Sequence, residues 1–166
     1  MAVTGKIDRK YMAHYIDAGS LCGGLTPKYE RLGKDLEEYN VELNPDTETS
    51  KNILGESTFK HNGYEVSSDA DPFYADTTSD LFTALQKIVD GRLKDDNLKT
   101  KAVEVHLWTE ATAGKYEAYQ QDCYVVPTSY GGDTSGYQIP FTVNYVGERV
   151  KGKLDISSGT FTADSE

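Results

Sequence analysis

An unbroken alternation of large apolar and smaller or polar residues over positions 137–145 constrains the fold more than any other feature of the chain. The apolar positions are Tyr137, Ile139, Phe141, Val143 and Tyr145. Because successive side chains of a β-strand point to opposite faces, this period of two predicts a strand with one buried face. Gly147 and Glu148 then predict a turn, and the alternation over residues 150–156 predicts a returning strand.

Shorter segments predict further strands before and after a single helix. The predicted strands are residues 11–16, 37–43, 57–66, 102–108 and 116–126. Residues 44–46 predict a turn, and residues 48–54 are expected to return from it. Residues 37–54 are therefore expected to form a polar hairpin that projects from the core. Residues 67–76 and 130–136 are predicted loops.

Residues 78–90 predict the helix, because their apolar side chains fall on one stripe. These side chains are Leu81, Phe82, Leu85, Ile88 and Val89. Thr77 and Asp80 resemble a capping box at its start, and Gly91 is placed to adopt the left-handed conformation after its end. An amphipathic helix of this length is expected to cover the face of a sheet.

This order of strands, helix and strands predicts an α+β domain made mainly of antiparallel sheet. We expect two packed sheets, as a sandwich or a partly closed barrel, with the helix at about 78–90 on its flank. A chain of 166 residues suffices for one domain with its own core. Residues 12–156 are expected to form that domain, while residues 1–11 form an arm and residues 157–166 a tail. Both ends are expected to be loose unless docked.

The formal net charge of −10 is concentrated in one part of the chain. Residues 35–80 contain twelve Asp and Glu against two Lys and Arg, a difference of −10, whereas the remainder contains fifteen of each sign. Such a surface repels the backbone of nucleic acids. The alternative interpretation is a solubilising face.

No residue pattern indicates catalysis or a bound metal. The candidate ligands and nucleophiles stand far apart: His14, His61, His106, Cys22 and Cys123. The glycine-rich residues 131–136 lack the lysine and the following helix of a phosphate loop. We therefore expect no enzyme, no cofactor, no metal and two reduced thiols. No apolar run is long enough to predict a membrane span.

Three stretches carry a resemblance: residues 1–8 (MAVTGKID), residues 37–45 (EEYNVELNP) and residues 137–152 (YQIPFTVNYVGERVKG). In this order, along nearly the whole chain, they resemble the tail tube (major tail) proteins of long-tailed bacteriophages and prophages. The last stretch is similar to the late strand pair of that family. Each stretch alone is a common β pattern, so the resemblance rests on their joint order and on the chain length.

The resemblance implies a structural subunit of a phage tail tube. Members of the family form hexameric rings that stack into a hollow tube, and they share their fold with type VI secretion and contractile-tail tubes. The implied partners are further copies of this chain, a tape-measure protein, a tail terminator and baseplate or initiator proteins. DNA would pass through without specific binding. The implied location is the virion tail, after assembly in the cytoplasm of the bacterial host.

Two sets of residues are candidates for roles within such a tube. Glu38, Asn40 and Glu42 are candidate channel-lining residues, because a like-charged wall does not hold a polyanion. Phe73 and Tyr74 are candidate subunit-interface residues, because adjacent aromatic residues in a polar loop need a packing partner. Alternatively, this aromatic pair covers the core of its own domain.

Two other functions fit the composition less well. One is a stand-alone β-sandwich binding module, carbohydrate-binding or adhesin-like, in which tyrosines and Trp108 form a platform for a sugar. The other is a small β-barrel enzyme, for which the sequence offers no catalytic set.

Overall fold

One curled antiparallel sheet of eight strands dominates the computed structural model, which describes residues 2–34 and 36–165. The strands are β1 (Met12–Asp17), β2 (Tyr29–Leu32), β3 (Val41–Glu42), β4 (Pro45–Lys51), β5 (Ser57–Tyr64), β6 (Ser67–Ala70), β7 (Lys99–His106), β8 (Lys115–Pro127), β9 (Gly131–Asp133), β10 (Gly136–Gln138), β11 (Phe141–Asp155) and β12 (Thr160–Ala163). The described α-helix is α1 (Asp80–Gly91). Short 3-10 segments cover Arg9–Tyr11, Ala18–Gly23 and Asp95–Leu98.

The main sheet has the order β2-β1-β7-β8-β11-β6-β3, and β12 pairs with the far part of β11. Two small sheets, β4-β5 and β9-β10, stand apart from it. Strands account for 48% of the structure, and one helix flanks the sheet. The predicted α+β class, mainly antiparallel with one flanking helix, is confirmed.

Both faces of the central strands are buried, so the sheet has a core on each side. In β7, Ala102 faces the same core as the helix, while Val103 and Val105 face the opposite core. The same alternation places Ile16 of β1 on the helix side and Tyr15 on the other side. Burial on both faces explains why apolar residues occupy neighbouring positions in these strands.

The helix-side core contains most of the buried apolar side chains. Leu81 and Leu85 of α1 are fully buried there against sheet residues that include Phe141 and Val143. Each fully buried leucine contributes about 1.5–3 kcal/mol through the removal of apolar surface from water. The predicted apolar stripe of the helix is therefore the feature that attaches it to the sheet.

The ends of the helix differ from the prediction by a residue or two. Ser79, rather than Thr77, is the N-cap, and its hydroxyl accepts a hydrogen bond from the Phe82 amide at 3.1 Å. Arg92, rather than Gly91, adopts the left-handed conformation with a φ of 48°. The Arg92 guanidinium donates to the Val89 carbonyl at 2.7 Å, which offsets part of the backbone strain.

Strand β11 runs through the position of the predicted turn. It pairs with β8 on both sides of an irregularity between Val146 and Val150, and Gly147 has a φ of 71° there. The predicted turn and returning strand are therefore wrong. The apolar positions change from odd to even because the strand contributes Val143 to the helix-side core and Leu154 to the opposite core.

The predicted hairpin over residues 37–54 is also wrong. Only Val41–Glu42 forms a strand in its first half, and this strand pairs with β6. The hairpin is formed instead by β4 and β5, with its tip at residues 52–56. Residues 37–43 do not form a continuous strand because the Tyr39 ring turns inward onto His14, at a centroid distance of 4.7 Å.

Several segments expected to be irregular or loose are ordered by hydrogen bonds. Residues 67–70 form β6 and residues 130–138 include the β9-β10 hairpin. In the expected C-terminal tail, β12 pairs with β11 over Gly152–Asp155. In the arm, the Val3 amide donates to the Trp108 carbonyl at 2.9 Å. Met1, Asp35 and Glu166 lie outside the described residues.

Candidate interaction surfaces

The β4-β5 hairpin exposes the side chains of both its faces. Every residue of Pro45–Lys51 is exposed, and so is every residue of Ser57–Tyr64 except the half-buried Gly63. The tip is apolar: Ile53 is 102% exposed and Leu54 is 76% exposed. Isolated two-stranded ribbons are only marginally stable in water. The hairpin therefore leaves apolar side chains in solvent at its tip and has no buried face.

The tip has a defined shape because Asn52 organises it. The Asn52 side-chain carbonyl accepts hydrogen bonds from the amides of Leu54 at 2.9 Å and Glu56 at 3.0 Å. Gly55 supplies the left-handed residue, with a φ of 80°. The two apolar side chains are therefore presented by an ordered turn.

The candidate channel residues lie on one exposed segment. Glu38, Asn40 and Glu42 are exposed, while Tyr39 is buried and Val41 is half-buried between them. The Asn40 side-chain amide donates to the Glu38 carboxylate at 2.5 Å. Neither carboxylate forms an ion pair with another described residue. The predicted alternation of outward polar and inward apolar residues holds here, without a continuous strand.

Part of the acidic region is neutralised by lysines from the flank of β2. Lys28 contacts Asp80 at 2.6 Å, and Lys34 contacts Asp76 at 3.1 Å. Hydrogen bonds from Thr78 and Lys34 lower the pKa of Asp76 to about 2. Asp76 and Asp80 are therefore paired with lysines, whereas Glu38 and Glu42 have no ion-pair partner among the described residues.

The candidate interface residues Phe73 and Tyr74 make contacts within their own domain. The Phe73 ring packs edge-on against Phe141 at a centroid distance of 5.3 Å. The Phe73 carbonyl accepts a hydrogen bond from the Ile139 amide at 2.9 Å, and Tyr74 forms a backbone bridge with Gln138. Phe73 thus covers the core of its own domain, as the alternative interpretation expected. A contact of either residue with a second subunit stays a prediction.

The cysteines and histidines do not converge on a reactive centre. Burial raises the pKa of the Cys123 thiol to about 12, which disfavours the nucleophilic thiolate. Both cysteines are free, Cys22 being half-buried. Within residues 2–34 and 36–165, no group of three or more His, Cys, Asp or Glu residues could hold a metal ion.

The surface around Trp108 is occupied by its own neighbours. The His106 imidazole stacks on the Trp108 ring at 4.3 Å and lies 2.8 Å from a Glu104 carboxylate oxygen. Arg149 lies over the Tyr119 ring at 4.2 Å. One face of the indole is therefore covered, which leaves less of it for a stacked sugar.

A basic cleft lies between the arm and β2, and no pattern in the sequence predicts it. Four basic residues line it: Arg9, Lys10, Arg31 and Lys34. They come from two separate segments, so no local spacing signalled that they meet. His14, on β1, lies in the same wall and is only 8% exposed.

No helix in the described part of the chain has the length and apolar character needed to cross a membrane. Comparison with known proteins found no matching family model and no matching curated protein.

Proposed function

We propose that the chain is a structural subunit of a phage tail tube, whose hexameric rings stack into a hollow channel for DNA and the tape-measure protein. In this proposal the subunit acts through contacts with its own copies and performs no catalysis. In this proposal the chain is located in the virion tail. The tail terminator and the baseplate or initiator proteins contact the ends of the tube. The observation that carries the proposal is the exposed β4-β5 hairpin with its apolar tip.

The hairpin supports assembly because its exposed apolar area has no use within the subunit. Ile53, Leu54 and Phe59 leave large apolar surfaces in water, with Phe59 65% exposed. Burial of this surface by another subunit gains about 25 cal/mol for each Å² removed from water. An exposed hairpin of this kind suits contacts between stacked rings better than contacts within its own domain.

The ends of the main sheet support closure into a ring. Strands β2 and β3 are its terminal strands, and each pairs on one side only among the described strands. A free strand edge is a template for pairing with another chain. Head-to-tail contacts of this kind close into rings when the rotation between copies is suitable.

The exposed acidic segment supports an open passage for DNA. In the proposal Glu38, Asn40 and Glu42 face the channel, where unpaired carboxylates repel the phosphate backbone. Repeated around a hexamer, the segment would form an acidic belt. Phe73 and Tyr74 are then placed beside a neighbouring subunit in the same ring.

Electron microscopy of the concentrated protein tests the proposal. We expect stacked rings or tubes roughly a hundred ångströms wide, from six domains of this size. The double substitution of Ile53 and Leu54 by serine should abolish stacking while the melting temperature stays unchanged, because neither side chain is packed. Leu25, which is 96% exposed elsewhere on the surface, provides the matched control Leu25→Ser. A monomer at all concentrations, or tubes that form equally well without the apolar tip, would refute the proposal.

A further inference from the structure

The basic cleft is anomalous in a chain of net charge −10. Its volume is about 460 Å³, and its basic residues are Arg9, Lys10, Arg31 and Lys34, against the acidic pair Glu37 and Glu38. Lys34 is the only one of the four with a carboxylate within 4.0 Å among the described residues. The remaining three positive charges lack such a partner there.

The arginines are held in place by backbone carbonyls. Arg9 donates to the carbonyls of Met12 at 2.7 Å and Tyr39 at 2.8 Å, and Arg31 donates to the Lys10 carbonyl at 3.2 Å. A guanidinium has five N–H donors, so both retain donors for a ligand. Orientation by carbonyls also reduces the entropy lost when a carboxylate binds.

His14 lies at the edge of the same cleft. The residue is 8% exposed, and its ring packs against Tyr39 at a centroid distance of 4.7 Å. Burial, and then the nearby charge of Arg9, lower the pKa of His14 to about 4. The imidazole is therefore neutral at physiological pH, and it offers one donor and one acceptor to an occupant.

The floor of the cleft is apolar. Met12, Leu32 and Leu36 line it beneath the charged rim. A hydrated inorganic anion would leave this floor unused, whereas a peptide with both acidic and aliphatic side chains can use the rim and the floor together. Arginine also matches the planar geometry of a carboxylate.

We infer that this cleft is a docking site for an acidic peptide segment of a partner protein, with carboxylates on Arg9, Lys10 and Arg31 and an aliphatic side chain on the floor. No residue of the β4-β5 hairpin lines the cleft, so the peptide titration and the assembly experiment on the hairpin tip can fail separately.

The test is a titration of the full-length protein with a short, blocked peptide of alternating glutamate and leucine. Binding is followed by calorimetry and by the NMR signals of the His14 ring. We expect saturable binding with a shift of the His14 signals. The glutamine–leucine version of the peptide should not bind, and inorganic phosphate should not displace the acidic peptide.

Substitutions locate the site. Arg31→Gln and Lys10→Gln should each weaken binding about fivefold, the value of one charge contact of about 1 kcal/mol at a partly exposed site. Lys99→Gln removes an exposed lysine outside the cleft and should leave affinity unchanged. Absence of saturable binding, equal binding of the glutamine peptide, complete displacement by phosphate, or equal weakening by Lys99→Gln would each overturn the inference.

Discussion

Gly152 offers a sharp test of how the C-terminal strand packs. It lies in β11 opposite Ala163 of β12, and a Cβ atom at this position would collide with the strand. The added atom would overlap the Thr162 carbonyl oxygen and would lie 2.6 Å from the Phe161 ring and 2.9 Å from the Ala163 Cα. The substitution Gly152→Ala therefore opposes the contact between β11 and β12.

The cost of this substitution has an upper bound set by β12 itself. Overpacking of a tight contact typically costs about 1–3 kcal/mol. If the strain exceeds the free energy with which β12 docks, the strand can detach, and only the docking energy is lost. That energy includes the partial burial of Phe161 over the core that contains Leu154. We expect a loss of about 2 kcal/mol, which lowers the melting temperature by roughly 4–8 °C in a domain of this size.

Thermal unfolding and hydrogen exchange together measure the effect. The amides of residues 160–164 should lose protection in Gly152→Ala, including the Asp164 amide that donates to the Lys151 carbonyl at 3.0 Å. Gly147→Ala is the matched control, because its site is open but its φ is 71°. It should cost about 1 kcal/mol through backbone strain and leave β12 protected. Wild-type stability and unchanged exchange in Gly152→Ala would refute this packing of the strand.

Two further predictions concern buried polar groups. Asp17→Ala should cost about 3 kcal/mol in urea unfolding, because the buried carboxylate accepts hydrogen bonds from the Ser20 hydroxyl at 2.6 Å and the Lys28 amide at 2.8 Å. For His14, the lowered pKa means that the unfolded chain binds the proton more readily. Stability should therefore fall by about 3 kcal/mol as the pH drops from about 6.5 to about 4. His14→Gln should remove this part of the pH dependence. If the free energy of unfolding of His14→Gln depends on pH as that of the wild type does, the prediction is wrong.

The helix and the central strands could be predicted because one physical pattern dominates each of them. The stripe of α1 needs only local spacing, and Leu81, Leu85 and Ile88 are all buried as that spacing predicts. In β7, Val103 and Val105 share one buried face, also as predicted. These periodic patterns can be recognised in a single sequence because they depend only on the spacing of residues along the chain.

The sequence of strand β11 wrongly predicts a turn, because a change of buried face within one strand gives the same pattern. Its apolar residues move from odd to even positions across Gly147, and a hairpin would produce the same pattern. The difference lies in the partner, since β8 pairs with both parts of β11 and itself faces two cores. Only the tertiary arrangement of two cores on one sheet separates these interpretations.

The sequence predicts the wrong pairing for the hairpin for a related reason. Residues 37–43 alternate as a strand would, but the segment crosses the sheet and inserts Tyr39 beside His14 and within 3.2 Å of the Tyr145 hydroxyl. A crossing segment that buries one aromatic residue satisfies the same alternation as a strand. The largely polar β4 and β5 pair with each other instead. Neither strand has an apolar face, so the sequence pattern does not predict this pairing.

The distribution of charge changes what a net charge of −10 implies. Averaged over the surface, it predicts that copies of the chain repel each other. The structure instead gathers Arg9, Lys10, Arg31 and Lys34 around one cleft, where Glu37 and Glu38 also lie. The positive charge of the chain is therefore locally concentrated, and the surface is not uniformly acidic. Repulsion between the other exposed charges is screened by salt over about 10 Å. A net charge of −10 is thus compatible with the proposed self-assembly, because contacts between copies depend on the local charges at each surface and not on the average.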